Sequence, residues 1–210
     1  KHGFLYILGG GPFNLVPGQV TDDSELSIGL LHSLLKSKMY KKEDVAQKYL
    51  KWFSSKPFDI GQTTLKAFRG ANNYTDIVHN SKKYNQNSLS NGCLMRIIPL
   101  AIYGVKTDNN ILSKYCYEDS QMTNPNEITT DATLVYCFAI KLALQSYNKK
   151  EIVKYAYHIA KTQLVKNIIK LSMIQPEPVL LPDGSYTKTD GHQMGYFGIA
   201  LQNAFYELLH

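Results

Sequence analysis

Arginine is nearly missing from this chain: of 23 basic residues only Arg69 and Arg96 are arginines, and the lysines are spread thinly. The formal charge is +6, but no basic patch interleaved with aromatics is visible, so the excess reads as a solvated surface and nucleic acid is not an expected partner. Cysteine is as scarce. Cys93, Cys116 and Cys137 stand singly without metal-ligand spacing, which excludes a disulfide framework and predicts free core thiols in a reducing, intracellular and cytoplasmic setting. The six histidines never pair at i, i+4 or with a cysteine, which argues against zinc, and no local signature of a Ser-His-Asp or Cys-His nucleophile is present. No apolar run is long enough to span a bilayer, so no membrane partner is expected. Phe4 to Leu8 is too short for a leader and runs into Gly9-Gly10-Gly11-Pro12. Strand-type alternation and internal repeats are almost absent. Residues 1–20 hold no acid at all, and the first residue is Lys1 rather than Met, as expected of a fragment or a processed chain.

What is present is helical periodicity. At 210 residues and 44% apolar, the chain can bury one core, so a single domain over 1–210 is expected. Leu26, Leu30 and Leu34 follow i, i+4, i+8 and predict a helix from Asp22 to about Met39, with Asp22 as N-cap and Glu25 at N3. Further helices are expected at Lys42 to Ser54, through Leu65 and Phe68, beyond Gly92, from Asp108 to Tyr117, Glu127 to Gln145, Lys149 to Met173 and Gln193 to His210. Asn72 to Asn91 shows no clear period and reads as the longest loop. The fold class is all-α, with functional loops at helix ends.

Four stretches could carry chemistry. Thr21-Asp22-Asp23-Ser24-Glu25 packs hard oxygen donors at a helix start. One carboxylate and one hydroxyl from consecutive residues can reach a magnesium or calcium ion, yet acids in a first turn also simply complement the helix dipole. Spacing alone leaves both open. Ser90-Asn91-Gly92 leads toward Arg96, which could grip a phosphate or lock to a buried carboxylate. Thr123-Asn124-Pro125 stands before the apolar helix, and Gly195-Tyr196 at the start of the last one. A polar residue before proline usually starts a turn, and a helical tyrosine is usually core.

Taken in order, Gly18-Gln19-Val20-Thr21-Asp22-Asp23-Ser24, Pro57-Phe58-Asp59-Ile60-Gly61-Gln62-Thr63-Thr64, Asn91-Gly92 to Pro99, Thr123-Asn124-Pro125 and Gly195-Tyr196 resemble the ADP-ribosylglycohydrolase family, including its dinitrogenase reductase-activating type. The resemblance implies an all-α orthogonal multi-helix bundle. It also implies hydrolysis of the glycosidic bond at the distal ribose of ADP-ribose, with two divalent cations, magnesium or alternatively manganese. Thr21, Asp22 and Asp23 then look like metal ligands, with Asp22 and Asp23 also counted as catalytic. Ser90, Asn91, Gly92, Asn124 and Tyr196 look like the substrate-binding set, and an ADP-ribosylated protein or a small ADP-ribose derivative like the partner of a monomeric enzyme. Family members also carry an acidic residue upstream and an Asp-x-Asp-Thr set downstream, neither of which lies in residues 1–210, so the domain is expected to be incomplete. Asn124 stands where many members have His, and Ser90 where many have Gly. A degenerate ADP-ribose-binding module or a structural, crystallin-like member are the alternatives.

Overall fold

The computed structural model describes residues 8–10, 14–190 and 193–210, and the readings that rest on residues 1–7, 11–13 and 191–192 lie outside it. The described chain is all-α, as expected. Ten helices follow in order: α1 Asp22–Ser37, α2 Lys42–Ser54, α3 Gln62–Phe68, α4 Tyr74–Tyr84, α5 Ile98–Tyr103, α6 Asn109–Ser120, α7 Glu127–Leu144, α8 Lys149–Ile159, α9 Gln163–Ser172 and α10 Phe197–Leu209. A two-residue hairpin, β1 Val179–Leu180 with β2 Tyr186–Thr187, turns through Pro182-Asp183-Gly184.

The long apolar helix α7 organises the packing. A helix that is apolar on most of its circumference must be covered on more than one side. One face of α7, through Cys137 and Phe138, joins a core built from Leu26, Leu30, Tyr49, Phe68 and Leu100. Another, through Ala132, Val135 and Ala139, joins a second cluster with Ile152, Val165, Ile168 and Phe197. All three cysteines are buried free thiols, in agreement with the reading of their spacing.

Several local readings need correction. Helix α1 starts at the expected place, but its N-cap is Thr21, with no side-chain cap bond. Asp22 is thus the first helical residue, and the capping box is not formed, because Glu25 instead accepts the Trp52 Nε1–H at 2.5 Å. The expected loop of 72–91 contains α4. Asn73 Oδ1 accepts from the Asp76 amide at 2.9 Å, and Asp76 Oδ2 accepts from the Asn72 amide at 2.9 Å. Asn73 is the N-cap, and Asp76 at N3 reaches back past it to the preceding amide. Only Ile77 and Ser81 of α4 are fully buried, so its period was too weak to read. Beyond Gly92 the chain makes tight turns up to Ile97, and the expected helix starts only at Ile98, which is exposed together with Ile102. The last helix begins at Phe197, not Gln193.

The predicted helix over Lys149 to Met173 is two helices. Ala160 leaves the helical region (φ −58°, ψ 132°), and α9 restarts after Thr162. The cause lies 30 residues upstream: buried Asp131 of α7 accepts from the amides of Lys161 and Thr162 and from the Thr162 hydroxyl at 2.8–3.1 Å. A carboxylate there satisfies amides that a helix start leaves without partners. Asp131→Ala is expected to cost about 2–3 kcal/mol. Hydrogen exchange at the first turn of α9 checks it, since these amides should lose protection before those of α8.

Candidate functional site

The start of α1 holds the carboxylates. Asp22 is buried and its Oδ1 accepts from the Asp23 amide at 3.1 Å. Asp23 is exposed, and the Thr21 hydroxyl donates to its Oδ2 at 3.4 Å. A third carboxylate arrives from the turn between α2 and α3: Asp59 acts electrostatically on Asp22. Burial first, and then the negative charges of Asp23 and Asp59, push the Asp22 carboxyl up to about 7. Asp59 is raised in the same direction, by burial and by Asp23. The motif carrying Asp59 was visible in the sequence, but the residue itself was assigned no role there.

The second group surrounds Asn91 and Gly92. The segment 89–91 pairs with 195–197: the Asn91 amide donates to Gly195 O at 2.8 Å and the Phe197 amide to Leu89 O at 2.9 Å. Four residues from three segments share one polar cluster. The Thr63 and Ser88 hydroxyls lie 2.8 Å apart, Ser90 Oγ donates to Thr63 Oγ1 at 3.1 Å, and Asn124 Nδ2 donates to Ser90 O and Oγ at 2.9 and 3.0 Å. The carbonyl oxygen of the buried Asn124 has no hydrogen-bond partner among the described residues. It faces Gly92, where an added Cβ would stand 3.2 Å away. Buried acceptors are rarely left unpaired, so this one is available to a ligand hydroxyl or a water.

Arg96 resolves between its two sequence readings in favour of the buried carboxylate. Fully buried, it reaches Asp119 Oδ1, Gly92 O, Thr123 Oγ1 and Asp119 O, each at 2.8 Å. Tyr49 donates its hydroxyl to the other Asp119 oxygen at 3.0 Å and lays its ring 5.0 Å from the guanidinium. Arg96 therefore clamps the Gly92 turn to the Thr123-Asn124 turn, and its partner Asp119 could not be picked out from spacing. Tyr196 is buried and its hydroxyl is committed to Leu180 O at 2.9 Å, which limits what it can offer a ligand to its ring.

The two groups are joined through the entry to α3. Asp59 precedes it, and Thr63 and Thr64 within it reach Ser90 and the Gly92 turn. Ser27 of α1 adds a hydrogen bond to Arg96 O at 3.1 Å. No three His, Cys, Asp or Glu side chains among the described residues converge closely enough to enclose a metal ion. Thr21, Asp22 and Asp23 nevertheless fit a hard cation as part of a shell. They are oxygen donors, and the charges of Asp23 and Asp59 add to burial in raising the Asp22 carboxyl, a repulsion that a bound cation would offset.

A sequence model of the ADP-ribosylglycohydrolase family matches residues 2–210. An ADP-ribosyl glycohydrolase named in Acanthamoeba polyphaga mimivirus is 33% identical over 159 residues, 73% of this chain and 48% of the viral protein. The ADP-ribosyl-[dinitrogen reductase] glycohydrolase of Rhodospirillum rubrum is 34% identical over 94 residues, 45% of this chain and 31% of its own length. An ADP-ribosylarginine hydrolase of Pseudomonas putida is 22% identical over 95% of this chain and 52% of its own. A solved ADP-ribosylglycohydrolase-related protein complex superposes with a TM-score of 0.72 at 21% identity, over 95% of this chain and 62% of that one, so the bundle is the same fold. The chain spans about half the length, or less, of the curated relatives it matches. With the family model covering nearly every residue and the all-α bundle agreeing with it, this chain belongs to the ADP-ribosylglycohydrolase family.

Proposed function

We propose that this chain is part of an enzyme that hydrolyses the glycosidic bond of protein-linked ADP-ribose, with residues 1–210 forming one domain. The observation that carries the reading is the group of mutually repelling carboxylates Asp22, Asp23 and Asp59, linked through the entry to α3 with the turn where Gly92 meets the Asn124 carbonyl oxygen. The names of the Rhodospirillum and Pseudomonas relatives support a protein-linked or arginine-linked substrate. Thr21, Asp22 and Asp23 would hold a divalent cation, magnesium or manganese. When bound, such a cation orients ribose hydroxyls and lowers the pKa of a water near the anomeric carbon. Asp59 keeps negative charge beside the place where oxocarbenium-like positive charge would build. Ser90, Asn91 and Asn124 orient the nucleotide part, with the Asn124 carbonyl oxygen, unpaired among the described residues, as the free acceptor.

The full-length chain with magnesium should release ADP-ribose from arginine- or serine-modified protein. No release from either, with no calorimetric heat on titrating ADP-ribose, would sink the proposal. Gly92→Ala presses a methyl group against Asn124, and should weaken ADP-ribose binding about tenfold while melting within a few degrees of the parent. Unchanged affinity in that variant would remove the turn from the site.

A further inference from the structure

A second cleft, of about 670 Å³, opens between α7 and α8, and none of the residues discussed above as ligands lines it. Phe138 and Leu142 of α7 and Tyr155 of α8 supply its apolar surface, with the Phe138 and Tyr155 rings 6.4 Å apart. Its ionisable groups, tyrosines aside, are Lys141, Lys154, His158 and Glu151. Lys141 is the unusual one, because only 7% of it is exposed. Its ammonium donates to Thr107 O at 2.8 Å and to Asn109 Oδ1 at 2.9 Å, and stands 5.9 Å from the Phe138 ring. That uses two of three N–H donors on neutral acceptors, and Lys141 forms no ion pair among the described residues. Glu151, the single acid on the cleft wall among the described residues, is occupied at the start of α8, where it accepts from the Asn148 amide at 3.3 Å.

An ammonium taken out of water costs several kcal/mol, and neutral acceptors return only part of it. An anion beside Lys141 would complete the balance. Lys154 of α8 adds a second positive charge at the same wall, one helical turn before His158. The volume suits a small organic molecule, since ligand clefts run to about 300–1,000 Å³ with mostly apolar walls and a few placed polar groups.

We propose that this cleft binds an organic anion, a flat apolar body bearing one phosphate or carboxylate, with the anionic group on Lys141 and Lys154 and the body between Phe138, Leu142 and Tyr155. The site is independent of the ADP-ribose reading and stands or falls separately. Phenyl phosphate and benzoate serve as probes for the two anionic groups, with benzyl alcohol as the uncharged control, in amide NMR titrations of the chain. The expected result is saturable shifts within residues 138–158 for at least one anion and none for benzyl alcohol. Lys154→Gln should weaken binding about threefold or more, and Lys141→Met about tenfold or more. High salt should weaken it as well. Should Lys141→Met fail to fold, Lys154→Gln and the salt titration decide the matter. The inference is overturned by an absence of saturable shifts with both anions. It is equally overturned by shifts centred on Asn91 and Asn124, by equal binding of benzyl alcohol, or by affinity indifferent to salt and to Lys154→Gln. A Lys141 that merely tethers the Thr107–Asn109 turn would leave probe affinity unaffected in Lys154→Gln.

Discussion

Arg96→Ala should lower the unfolding free energy by about 3–5 kcal/mol, the usual cost of leaving one half of a buried ion pair behind. Asp119 would remain fully buried with a single side-chain donor, the Tyr49 hydroxyl, and the carbonyls of Gly92 and Asp119 would lose their guanidinium donors together. Arg96→Lys keeps the charge but cannot reproduce four bonds from a planar fork, so it should fall between the two. Urea unfolding with an unchanged slope would report the loss as stability alone. A cost below about 1 kcal/mol for Arg96→Ala would mean that the clamp is not what holds the two turns. Because Arg96 grips both the Gly92 turn and Thr123 beside Asn124, the more folded Arg96→Lys variant should also bind ADP-ribose more weakly than the parent.

How far the sequence could be read follows from where each cause lies. Helix α2 was delimited at both ends because its buried positions, Val45, Ala46, Tyr49 and Leu50, repeat at helical spacing within the segment itself. Asp108 was legible as a cap for the same reason: its carboxylate accepts from Asn110 and Ile111, two and three residues on. The break at Ala160 was not legible, since the group that stabilises it, Asp131, is distant in sequence. Helix α4 did leave a local trace in Asn73-Tyr74-Thr75-Asp76, hidden by a polar surface. In the candidate site, Asp22 and Asp23 were visible as a dense pair. Asp59 is not legible there, because what gives it meaning is its nearness to that pair across 35 intervening positions, which only the folded chain creates. Arg96 stood out by its rarity, but which of its two partners it takes depends on α6 delivering Asp119 into the core.

The cation reading makes an expectation about stability that runs opposite to the one for activity. Asp22 has its carboxyl raised from 3.8 to about 7 in the folded chain, so between those values the folded state binds more protons than the unfolded one. Stability without divalent metal should therefore fall as pH rises from about 4 to about 7, then level off. Solvent at the helix end screens the repulsion, which brings the loss to about 1–2 kcal/mol. Asp22→Asn removes the charge while keeping the shape. In chelator at pH 8 it should melt above the parent, with the pH slope between 4 and 7 largely gone. Magnesium or manganese should raise the melting temperature of the parent, because ligands that bind only the folded state stabilise it, and should leave the variant unmoved. In the full-length chain the same substitution should cut ADP-ribose release by about 100-fold or more, the scale of losing a group that acts on transition-state charge. A residue kept for capping would behave in the reverse way, because replacing it would cost stability without touching turnover. If Asp22→Asn melts below the parent in chelator and keeps the pH slope, the repulsion is not where the geometry puts it, and Asp22 is a helix-start residue rather than a ligand. A gain in stability bought by a loss of turnover is instead what a site built to receive a cation must show, since its carboxylates are held together against their own charge.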